Sequence, residues 1–171
     1  MAQHTNWSTN ERILIAIGGR PEDRRLIDAI IQQIHAPQQT WITLIHYMVP
    51  LYWEHGVIPD EPEGLEELNA EEAQMETDEE AAAEEAKAHL SALRNTLIKA
   101  GIPAEHIQER LDWDAPDTAQ ALLRELREGA YTVLAVGKHH HDFLTRFLHQ
   151  SLADYLRKHA PEGVTVWVVP V

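Results

Sequence analysis

Three consecutive imidazoles, His139, His140 and His141, follow closely on a glycine, Gly137. Imidazole binds late first-row metals when neutral and faces anions when protonated. Adjacent side chains do not all point one way, so a metal here needs another ligand, and His46, His149 and Asp142 are the available ones. The same triplet also reads as a solvated turn. Near the other end of the chain stands Gly18-Gly19-Arg20. Glycine lets backbone N–H groups approach a phosphate closely, and a guanidinium pairs with phosphate or carboxylate. An arginine opening a surface helix is equally an ordinary solvated charge. Ser151, at a helix start, can donate to phosphate or make a local hydrogen bond. Tyr47, with Tyr52 and Trp53 close by, can wall a nucleobase, stabilise a loop or meet a partner. No Ser-His-Asp or paired-carboxylate spacing is present, and no catalytic residue is assigned.

Elements must position these groups. The 171 residues amount to one domain, and 44% hydrophobic content can bury a full core. A net charge of −14 leaves no basic stripe for a nucleic-acid backbone. The absence of cysteine excludes disulfides, thiolate metal sites and a cysteine nucleophile. No apolar run approaches the roughly 20 residues of a membrane span. The first residues, MAQHTNWSTNER, lack a signal-peptide pattern. The expectation is a cytoplasmic protein, with neither nucleic acid nor membrane as a partner.

Residues 1–11 are expected to form a loose arm. Arg12 to Ile17 is a continuous apolar run, as in a strand covered on both faces. Gly18-Gly19 turns. A helix opens around Pro21 with Glu22 and Asp23 at the positive end of its dipole, and Leu26, Ile27, Ile30, Ile31 and Ile34 recur at helical spacing. Thr40 to Val49 is β-branched and aromatic, the second strand. Pro50 to Gly64 is loop. Leu65 to Ala100 reads as a long helix whose acidic first half projects and whose second half packs on the sheet through Ala86, Leu90, Leu93, Leu97 and Ile98. Residues 50–85 are therefore a candidate surface for a protein partner. Gly101 fits a left-handed cap and Pro103 bars continuation. His106 to Trp113 alternates, an edge strand. Asp114 or Asp117 caps the next helix, with Ala119, Leu122, Leu123 and Leu126 inward, ended by Gly129. Tyr131 to Val136 is the fourth strand, followed by a loop, a helix over Leu144 to His159, and the fifth strand, Val164 to Val169. Strands alternating with helices predict a parallel sheet with helices on both faces.

In this arrangement the chain resembles the universal stress protein family over nearly its whole length. The matches are the opening strand with its glycine turn, Leu44-Ile45-His46 near the family's Leu-x-His-Val, the step from Ala100 to His106, and the spacing from Gly137 to Ser151. The resemblance implies a doubly wound five-stranded parallel sheet in the order 3-2-1-4-5, an α/β fold of the adenine nucleotide alpha hydrolase-like kind. That order sets the first and fourth strands side by side, so Gly18-Gly19 and Gly137 face one crevice. The resemblance also implies a homodimer, paired through the apolar strand Val164 to Val169.

ATP-binding members carry Asp after the first strand and, later, Gly-x2-Gly-x9-Gly-Ser/Thr. Here the first position is Gly18, and the later motif has His140 and Gln150 where two of its glycines stand. Arg20 occupies the place of a small hydroxyl residue. Bulky side chains at such positions fill the space a phosphate needs. The expectation is a small-ligand-responsive binding or signalling module that does not hold ATP in the usual pose. Candidate ligand residues are Gly18, Gly19, Arg20, Tyr47, Gly137, His140, Gln150 and Ser151. The candidate ligand is an adenine nucleotide or another small anion, with no cofactor fixed by the sequence. The alternatives are a protein-interaction module without nucleotide binding, and a nucleotide- or metal-dependent hydrolase for which the His triplet speaks.

Overall fold

A computed structural model describes residues 11–48, 65–113, 117–138 and 152–171, with side chains in the long helix described from residue 73 onward. The strands are β1 Arg12–Ile17, β2 Trp41–Tyr47, β3 Ile107–Asp112, β4 Val133–Lys138 and β5 Thr165–Pro170. The helices are α1 Asp23–Gln33, α2 Leu65–Lys99, α3 Thr118–Glu128 and α4 Leu152–His159. Short 3-10 turns, Pro37–Gln39 and Ala104–His106, lead into β2 and β3.

All five strands pair in parallel in the order β3-β2-β1-β4-β5. A central strand flanked on both faces should be apolar without alternation, and β1 is: Ile13, Leu14 and Ile15 are fully buried. Its alternate residues feed two separate cores. Ile13, Ile15 and Ile17 pack with α1 and with Leu90, Leu93 and Leu97 of α2. Leu14 packs on the other side with Leu122, Leu123 and Leu126 of α3 and Leu156 of α4. The result is three layers, helix–sheet–helix.

The edges differ. β3 carries a buried Ile107, but its remaining residues are exposed or half-buried, as expected of an edge strand. Over it, Arg94 of α2 reaches the Ala104 carbonyl at 3.1 Å, and Ser91 donates to Glu109. β5, at the other edge, is half-buried along most of its length. Thr165 N–H points inward to the Thr132 carbonyl. Backbone polar groups alternate in direction along a strand, so Val166 and Val168 point theirs outward, as Pro170 would if it had an N–H.

Local signals act where the sequence places them. Gly101 adopts φ +97°, and the Ile102 N–H bonds back to the Leu97 carbonyl, ending α2. Asp117 caps α3, accepting from Ala119 N and Gln120 N. Asp114 lies outside the described residues, as do residues 1–10, 50–64 and 144–151. Glu11 is anchored: its carbonyl accepts from Trp41 N, and its carboxylate from the Thr132 hydroxyl at 2.7 Å. One boundary shifts with consequence. β4 begins two residues later than expected and runs to Lys138, because β5 offers partners as far as Pro170. Gly137 is thus a strand residue opposite Val169.

Candidate functional site

In a doubly wound sheet, ligands gather beyond the carboxyl ends of the strands where strand order reverses, here between β1 and β4. Ala16 stands opposite Val136, so the next residues, Ile17 to Gly19 and Gly137 to Lys138, form neighbouring tips. Gly18, Gly19 and Arg20 are exposed, and Gly137 is half-buried. The sequence-predicted glycines therefore come together. Tyr47 ends β2, one strand further away, and its ring belongs to the core beneath α3. Burial, reinforced by the Glu125 and Asp112 carboxylates, pushes its hydroxyl up to about 12. On the same face, Glu125 pairs with Arg110 and accepts from the Tyr131 hydroxyl. Burial raises Tyr131 as well. His139, His140, His141, Gln150 and Ser151 lie outside the described residues.

The turn after β1 is built differently from what its glycines alone suggest. Gly19 takes φ +76°, a left-handed conformation that favours glycine. A Cβ there would lie 3.0 Å from Cε1 of His46. His46 is locked in place by the Ile17 carbonyl, 2.8 Å from Nδ1. A carbonyl only accepts, so Nδ1 carries the proton, and in the neutral ring Nε2 keeps its lone pair. That nitrogen lies 3.4 Å from the same Cβ position.

Beneath the turn sits Asp23, the first residue of α1. Its side chain is 3% exposed. Its Oδ1 accepts from Gly18 N at 3.1 Å, and its Oδ2 accepts from Arg20 N at 2.9 Å. Nε2 of His89, on α2, lies 2.9 Å from the same Oδ2. A buried carboxylate needs such compensation, and three donors supply it.

In the sequence, Asp23 stands out only as an acid suited to the helix dipole, and His89 does not stand out. A signal for His89 existed: it lies three residues after Ala86 and four before Leu93, on the inward stripe of α2. Among the described residues, no group of three or more His, Asp or Glu could hold a metal ion.

A family model, universal stress protein family, matches residues 9–170. The chain belongs to the universal stress protein family. Solved members share its fold. A universal stress protein from Burkholderia pseudomallei is 19% identical with a TM-score of 0.62, over 96% of this chain and 99% of that one. A universal stress protein in complex with cAMP is 16% identical, TM-score 0.56, over 96% and 98%. One from Archaeoglobus fulgidus in complex with dAMP is 15% identical, TM-score 0.51, over 93% and 98%. No curated protein matches the chain in sequence. Against the universal stress protein pattern, the Asp expected directly after β1 is Gly18, and a carboxylate enters the same turn from Asp23 instead.

Proposed function

We propose that this universal stress protein is a ligand-responsive binding or signalling module. Its crevice, between the tips of β1 and β4, receives an adenine nucleotide or another small anion in a pose other than that of ATP-binding members. The observation that carries this reading is the side-by-side placement of the two glycine-bearing strand ends. Gly18 and Gly19 let a ligand approach the β1 tip, and Gly137 does so at β4. Arg20, Tyr47, His140, Gln150 and Ser151 are the further candidate ligand residues. Solved family members in complex with cAMP and dAMP support a nucleotide-sized ligand in this fold. The protein acts in the cytoplasm as a homodimer joined through Val164 to Val169. Among the described residues no helix is long and apolar enough to cross a membrane.

A second reading rests on the outer surface of α2. Residues 73–78 are all exposed, Met75 among them. They belong to the described part of the 50–85 candidate partner surface, a reading that needs no nucleotide.

A thermal-shift panel with ATP, AMP, cAMP, inorganic phosphate and divalent metals separates the two. A ligand that binds the native state raises the melting temperature with concentration over its dissociation constant. The expected result is a saturable shift with at least one adenine nucleotide, lost in Gly137→Trp. A flat response to every compound, in a chain that still pulls down a partner through residues 50–85, would replace the first reading with the second.

A further inference from the structure

We infer that Asp23 is a resident anion that closes the β1–α1 turn to phosphates and carboxylates, and so determines which part of a ligand can face it. The inference rests on the crevice being a ligand site and specifies the chemistry of one wall.

A tight glycine turn running into a helix ordinarily presents free N–H groups to an anion. Here the Gly18 and Arg20 amides are both spent on one carboxylate, at 3.1 and 2.9 Å. The carboxylate is almost fully buried and is further held by His89. An incoming phosphate would have to displace a charge-matched, preorganised acceptor at no gain in hydrogen bonds. It would also strand that acceptor in a dry environment, where an unpaired charge is costly. Beside the turn, the Ile17 carbonyl holds Nδ1 of His46, and the ring edge, Cε1 nearest, packs against Gly19. The turn thus offers an anion no unspent amide at Gly18 or Arg20, and any anionic portion of a ligand must lie toward β4.

The test follows backbone amide signals of Gly18 and Arg20 by NMR during titration with inorganic phosphate, in the wild type and in Asp23→Ser. In the wild type, those two amides should move no more than exposed amides elsewhere. In Asp23→Ser, which removes the charge and leaves a hydroxyl able to hold at most one of the two amides, they should shift saturably, with an affinity for phosphate at least about tenfold above the wild type. Saturable shifts of Gly18 and Arg20 in the wild type would overturn the inference. So would a folded Asp23→Ser protein that gains nothing. If that variant does not fold, the wild-type titration decides alone. A failure of the ligand-site reading looks different: AMP and adenosine would then move no crevice amide, including those of β4, whatever phosphate does at the turn.

Discussion

A single residue decides much of this site, and Gly19 shows how. Its positive φ and the 3.0 Å approach of a would-be Cβ to His46 act together. Gly19→Ala should cost about 1–3 kcal/mol, measured by urea unfolding. Adding His46→Ala relieves the contact but not the backbone strain, so the double variant should recover only part of the loss. Tyr47 makes a residue-scale prediction about pH. Its hydroxyl ionises near 10.0 when unfolded and near 12 when folded. Below the lower value both states hold the proton, and Tyr47 adds no pH dependence. Between the two, only the unfolded state releases it, so stability falls as pH rises. The Tyr47 share of the fall should amount to about 2 kcal/mol and should be missing in Tyr47→Phe, which keeps the loss owed to Tyr131, raised in the same direction. Equal alkaline losses in both proteins, by chemical unfolding at pH 9 and 11.5, would remove Tyr47 as the cause.

At the scale of elements, the contribution of α2 lies in its second half. Leu90, Leu93 and Leu97 are 2%, 3% and 0% exposed, while residues 73–78 are exposed throughout. Leu97→Ala should cost about 2–5 kcal/mol, and Met75→Ala well under 1 kcal/mol, by the same unfolding measurement. How legible this was in the sequence follows from range. The inward stripe of α2, the Gly101 cap and the Asp117 cap rest on residues a few positions apart, and the chain spells them out. The strand order follows from the family resemblance, since periodicity alone does not say which strands are neighbours. The closure of the β1 turn is not legible locally, because Asp23 and His89 are 66 positions apart and meet only through folding. Gly137 reads locally as the end of its strand, which continues because β5, at the far end of the chain, supplies the partner.

At the scale of the whole molecule, β5 is the edge through which two copies would pair. The inward bond of Thr165 leaves Val166 and Val168 with outward backbone groups, and Pro170 has no N–H to offer. Val166→Pro therefore removes an outward donor while sparing the ladder to β4. Sedimentation should show a dimer for the wild type and a monomer of unchanged circular dichroism for the variant. A wild type that sediments as a monomer at micromolar concentration would exclude the dimer.

The hydrogen bond between Asp23 and His89 fastens the loop after the first strand to a 35-residue helix that belongs to another part of the chain. Sliding that helix by even one residue, about 1.5 Å, would pull the imidazole off the carboxylate. The docking of a long rod on the layer beneath it and the shape of the turn after β1 are thereby one variable. A force applied at the rod's distant acidic end would be registered where the first and fourth strands meet.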